Sequence, residues 1–102
     1  MKCKLLNNTK LIKDYGYFDG DIQIARCSIS IKEKSYTLKN VFIEPEYRGK
    51  GLCTKFLTCV LKKYNGTIFL TVLKNNEPAL KCYTNLGFKI IDEGKTTFYM
   101  QK

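Results

Sequence analysis

VFIEPEYRGKGLCT, residues 41–54, decides how this chain is read. An apolar run of strand character, Val41-Phe42-Ile43, stops at Pro45. A basic glycine loop, Arg48-Gly49-Lys50-Gly51, then opens a segment in which Leu52, Phe56, Leu57, Val60, Leu61 and Tyr64 recur at helical spacing. The first turn of a helix leaves about four backbone N–H groups without intrahelical partners. Its aligned peptide dipoles also place roughly half a positive charge there. Lys50 and Lys55 flank that turn and no acid stands in it. The layout predicts a site for a phosphate or diphosphate. The plain alternative is a loop whose glycines serve turn geometry alone.

Upstream of the loop, Ile22 to Ile31 reads as a strand with a bulge near Ala25, Lys32-Glu33-Lys34 as a hairpin tip, and Ser35 to Glu44 as the returning strand. Downstream, Asn65-Gly66 ends the helix. Thr67 to Leu73 is a nearly unbroken apolar and β-branched run, the pattern of a strand covered on both faces. Strand, helix and strand over residues 38–73 predict one βαβ unit with a parallel strand pair and a right-handed crossover. Asn76 caps a second helix with Pro78 in its first turn and Gly87 just past its end. Ala79, Tyr83 and Leu86 share one face of it. Phe88 to Ile91, a turn at Glu93-Gly94, and Thr97 to Met100 form a closing hairpin. The first twenty residues are least legible: a short strand Cys3–Leu6, a turn at Asn7-Asn8, mixed character from Leu11 to Phe18, and a turn at Asp19-Gly20.

Composition narrows the function classes. With 102 residues, 44% apolar and 13% aromatic, the chain can build a core and is expected to form one domain, 1–102. No 18-residue apolar stretch exists, so a membrane span is not expected. Five cysteines make an odd count without a C-x-x-C pair, and histidine is absent. Neither a disulfide framework nor a metal site is therefore expected, and the setting predicted is the cytoplasm. The net charge of +9 comes from 16 lysines and two arginines spread along the chain. A dedicated nucleic-acid site would gather them with exposed stacking aromatics. Their dispersal argues instead for a solvated surface that favours a polyanionic small molecule.

The spacing in the glycine loop excludes two common owners. A dinucleotide-binding turn needs a third glycine where Thr54 stands, and the Walker A pattern is absent. What stands there is R-x-x-G-x-C, Arg48, Gly51 and Cys53. Some 25 residues later comes N-x-x-A-x-x-x-Y-x-x-x-G-F, Asn76, Ala79, Tyr83, Gly87 and Phe88. The two motifs in this order resemble the Gcn5-related N-acetyltransferase (GNAT) family. That family's first motif is Q/R-x-x-G-x-G/A, so the chain departs from it only at Cys53.

The resemblance implies a mixed α/β (α+β) fold, mostly antiparallel, with a central β-α-β unit and two main helices. It implies transfer of the acetyl group of acetyl-CoA, a cosubstrate, to a primary amine on a small molecule or a protein. Main-chain groups of Val41, Phe42 and Ile43 would hold the pantetheine arm. The amides of Gly49, Lys50, Gly51, Leu52, Cys53 and Thr54, with the charges of Arg48 and Lys50, would hold the diphosphate. Asn76 would help fix the coenzyme. Tyr83 takes the place of the general acid; its plain reading is a buried aromatic anchor. Many relatives carry a glutamate base where Thr71 stands here, which leaves Glu44 as the substitute, against a solvent-facing carboxylate at a strand end. The resemblance also implies a shortened N-terminal part, with an acceptor side left open or completed by a partner subunit, a homodimer among the options. A coenzyme-binding module without catalysis is the alternative, and a small basic nucleic-acid binder a more distant one.

Overall fold

Alternation of buried and exposed side chains along the strands sets the architecture. The computed structural model describes residues 1–102. Its elements are β1 (Lys2–Asn8), β2 (Ile12–Asp19), β3 (Ile22–Lys32), β4 (Ser35–Ile43), α1 (Leu52–Leu61), β5 (Thr67–Leu73), α2 (Glu77–Asn85), β6 (Lys89–Glu93) and β7 (Thr97–Gln101). The seven strands form one sheet in the order β1-β2-β3-β4-β5-β7-β6. Every pairing is antiparallel except β4 with β5.

Both helices pack on one face. Ile68, Leu70 and Val72 of β5 are buried beneath them, while Thr67, Thr71 and Leu73 are exposed. The expectation that this strand is covered on both faces is therefore corrected. Its threonines are β-branched, which suits a strand, and their hydroxyls face water. On the covered face, Phe56, Leu57 and Val60 of α1 meet Ile24 and Ile29 of β3, all fully buried. Phe56 also stacks on Tyr17 of β2, ring centroids 5.2 Å apart. Each such side chain contributes about 1.5–3 kcal/mol by leaving water.

The N-terminal residues correct the sequence reading further. Asn7-Asn8 ends a seven-residue strand, and Leu11–Phe18 becomes most of β2, paired with β3 from Ile12↔Ser30 to Asp19↔Ile22. The hairpin β1–β2 extends the sheet where a short strand and mixed structure were expected. α1 ends at Leu61; Tyr64 lies beyond it and hydrogen-bonds Tyr15 at 2.7 Å. The bulge anticipated near Ala25 is present, with register shifting between Tyr17 and Phe18 opposite Ala25 and Gln23. A second irregularity, at Asn40 with φ 55°, adds a residue to β4 just before Val41.

The cysteines carry the largest correction. Cys3 pairs with Cys59, and Cys53 with Cys82; only Cys27 is free, in the core. Sequence spacing could not show this, because the partners lie 56 and 29 residues apart and meet only once α1 has docked. The argument for a cytoplasmic setting from unpaired cysteines falls with it. No helix is long and apolar enough to cross a membrane.

Candidate functional site

The parallel strands set the site's position. β4 and β5 pair only at Ser35↔Thr67, Tyr36↔Ile68 and Thr37↔Phe69, yet β4 runs on to Ile43 and β5 to Leu73. Beyond Thr37 the two strands leave their facing edges unpaired. In parallel sheets, ligands settle outside the carboxyl ends of such strands. A cleft of about 580 Å³ opens there, walled by the end of β4, the glycine loop, the first turn of α1 and one face of α2.

The loop leaves backbone donors open at the start of α1. Gly51 is the N-cap of α1 with φ 75°, and Gly49 has φ 76°, both left-handed conformations that glycine adopts without a Cβ penalty. A Cβ at either would meet nothing within 4 Å. Lys55 makes the first helical bond, to the Gly51 carbonyl, and no side chain caps the helix. The amides of Leu52, Cys53 and Thr54 therefore find no acceptor within the protein.

The second motif is helix punctuation that aims one side chain. Asn76 Oδ1 accepts from the Ala79 amide at 3.3 Å and starts α2. At the far end Gly87, with φ 99°, lets the Gly87 amide reach the Thr84 carbonyl at 3.0 Å and the Phe88 amide reach the Tyr83 carbonyl at 3.0 Å. These two bonds are a Schellman stop. Its hydrophobic contact is Phe88 against the Tyr83 ring, centroids 6.0 Å apart. Asn76, Gly87 and Phe88 thus all have work within the fold. The Tyr83 ring is anchored too, being 7% exposed, but its hydroxyl has no protein hydrogen bond. Since no buried polar side-chain atom lacks a partner, that hydroxyl opens onto the cleft. Burial, aided by the nearby Cys27 thiol, pushes its pKa up to about 12.

The structure brings most of the expected residues together and leaves some out. Val41, Phe42, Ile43, Arg48, Gly49, Gly51, Leu52, Cys53, Thr54, Asn76 and Tyr83 all line the cleft; Glu44 and Lys50 do not. Lys50 lies over the Tyr47 ring, 5.7 Å from its centroid. Arg48 donates through Nε to the Ile43 carbonyl at 2.8 Å and stacks on Phe42, so it braces the end of β4 as well as adding charge. Sequence reasoning missed Pro78, Lys81, Cys82 and Asn85, which also line the cleft. Their spacing along one face of α2 was the available signal. On the exposed face of the sheet a separate shallow depression of about 650 Å³ is lined by Thr71, Asp92, Glu93 and Tyr99, among others.

A splayed parallel pair feeding a glycine-rich helix start, with a tyrosine aimed in from a second helix, defines a class of α/β transferases. The family model described as acetyltransferase (GNAT) family matches residues 11–88, and the chain belongs to that family. It is 30% identical over 106 residues to the [ribosomal protein bS18]-alanine N-acetyltransferase of Haemophilus ducreyi, covering 97% of this chain and 72% of that protein. It is 36% identical over 67 residues to the spermidine N(1)-acetyltransferase of Escherichia coli, covering 59% of this chain and 35% of that protein. Against that enzyme and a further Bacillus subtilis relative, the chain spans about a third of their length. Among solved structures, the N-acetyltransferase PseH of Campylobacter jejuni in complex with acetyl coenzyme A superimposes with a TM-score of 0.77. Its identity to this chain is 26%, over 92% of this chain and 69% of that one.

Proposed function

We propose that this protein is an acetyl-CoA-dependent N-acetyltransferase, acting on a primary amine of a small molecule or a protein by direct attack, in the cytoplasm where that coenzyme serves. The observation that carries the reading is the Tyr83 hydroxyl. Unlike Asn76, whose Oδ1 caps α2, it has no hydrogen bond within the fold, and it faces the cleft. The free amides of Leu52, Cys53 and Thr54 suit a diphosphate, and the open space at Gly49 and Gly51 admits its close approach. The unpaired edge of β4 from Val41 to Ile43 offers main-chain groups to an amide-bearing arm. PseH, whose fold this chain shares, binds acetyl coenzyme A.

Tyr83 is the general acid in this scheme. With its pKa near 12 it keeps its proton at neutral pH and can hand it to the departing thiolate as the neutral amine attacks. Asn76 Oδ1 is committed to capping, so only its Nδ2 can serve the coenzyme. Glu44 does not line the cleft but directly follows Ile43, which does, so a base role for it would run through water. The amine approaches over the exposed depression, where Thr71, Tyr99 and Asp92 stand in one cross-strand row. Asp92 there suits a cationic acceptor, whereas Glu93 is already paired with Lys74.

The test is thermal melting with and without acetyl-CoA, followed by thiol release with an amine panel. Coenzyme at about 100 times its dissociation constant should add roughly 2.7 kcal/mol. Binding without turnover on any amine would favour the second reading, a coenzyme-binding module. The neutral Thr71 and the outlying Glu44 are the observations on its side. No stabilisation at all would reject both.

A further inference from the structure

Cys53, where the first motif departs from its family pattern, is the second residue of α1, and Cys82 faces it from α2. Both line the cleft. Their Cα atoms are 6.3 Å apart, within the roughly 4.4–6.8 Å that a disulfide spans. The bond can form or open without moving either backbone. Apart from apolar packing, little else joins these two walls. Among side-chain hydrogen bonds, only the one from Thr54 Oγ1 to Cys82 Sγ at 3.8 Å crosses from α1 to α2. The protein's single salt bridge, Lys74–Glu93, lies elsewhere. Every polar or covalent link between the helices therefore passes through the Cys82 sulfur.

We propose that Cys53 and Cys82 are a reversible thiol–disulfide site whose state sets the affinity of the cleft for coenzyme. This rests on the reading of the cleft given above. The oxidant is a small disulfide of the glutathione class. Cys53, half-buried and lining the cleft, is the entry point; Cys82, 6% exposed, is the resolving thiol. The Cys53 thiolate attacks one sulfur of the small disulfide, breaking its S–S bond and expelling one small thiolate. The Cys82 thiolate then attacks the Cys53 sulfur of the mixed disulfide and expels the second. The protein pair loses two electrons and two protons, which end on the two small thiols. Cys27 does not compete, because burial pushes its pKa up to about 12 and keeps it a thiol. Bridged, the first turn of α1 and the middle of α2 hold the spacing seen here. Reduced, the walls are held by apolar packing alone and fluctuate more, so binding must first restore their order.

The experiment compares the same chain fully reduced with dithiothreitol and reoxidised with glutathione disulfide. Site-resolved alkylation and mass spectrometry count the free thiols at Cys53 and Cys82, and calorimetry measures coenzyme A. Reduction is expected to weaken binding roughly five- to tenfold, the scale of lost preorganisation. C82S should show the reduced-state affinity under both conditions. A chain lacking the remote pair, C3S/C59S, should keep the difference; where that variant does not fold, C82S, which retains Cys3–Cys59, assigns the effect. Equal affinity in the two verified states, or failure of the pair to oxidise, overturns the proposal. Absence of binding in both states would defeat the cleft reading and this proposal together, whereas equal binding defeats the proposal alone.

Discussion

Tyr83→Phe removes one oxygen from the cleft and leaves its surroundings unchanged. The ring keeps its contact with Phe88 and its place in the core. Because the hydroxyl has no protein partner, folding stability should move by less than about 0.5 kcal/mol. Coenzyme affinity, set mainly at the start of α1, should stay within about twofold by the same reasoning. Turnover should not. Loss of a positioned general acid costs on the order of 10²- to 10³-fold in rate, equivalent to about 2.7–4 kcal/mol of barrier. The assay is steady-state thiol release with an amine that the wild type acetylates, run beside calorimetry with coenzyme A. The wild-type rate should also hold its plateau well above pH 9, since the acid titrates only near 12. A phenylalanine variant turning over within about threefold of wild type would refute the assignment. So would a large drop in coenzyme affinity, because the hydroxyl would then be a binding group.

Gly51→Ala should cost about 1 kcal/mol of stability, because φ 75° strains any L side chain while no neighbour clashes. Its coenzyme affinity should fall at least roughly tenfold, since the added methyl stands where an anion would approach; melting and calorimetry measure the two effects. Removing the Cys3–Cys59 link by C3S should lower stability in oxidising buffer by about 4 kcal/mol on a chain-entropy account, read from urea midpoints, because the bridge ties residues 56 apart. Alkali should unfold the protein early. Cys27 and Tyr83 titrate near 12 when folded, against 9.0 and 10.0 otherwise, chiefly through burial. The folded state thus holds protons that the unfolded chain gives up. The associated stability is complete below about pH 9 and is lost between 9 and 12, on the order of several kcal/mol. Unchanged denaturant midpoints from pH 8 to 11 would contradict that sign.

Much of the cleft was legible because its parts are encoded over a few residues. A left-handed glycine ahead of an apolar helical repeat marks the start of α1. Asn76 and Gly87 bracket α2, and their positions dictate that Tyr83 lies one turn before the stop. Apolar spacing also identified the parallel pair. Positions of charged side chains were less secure. Lys50 and Glu44 share the key stretch but do not line the cleft, whereas Lys81, distant in sequence, lines it. Long flexible side chains follow their tertiary neighbours, and those neighbours are not written locally.

By itself, then, the chain's order of residues determined where both helices begin and where α2 ends, which strands run parallel, and which tyrosine sits at the helix stop. These are matters of backbone conformation and short-range periodicity. Only the tertiary structure decided that both helices share one face of the sheet, that the N-terminal residues add a hairpin, and that four cysteines meet in pairs. Those outcomes depend on contacts between residues tens of positions apart. Such contacts are selected by the packing of the whole core, in which Phe56, Ile24 and Ile29 exclude water only when every element is in place.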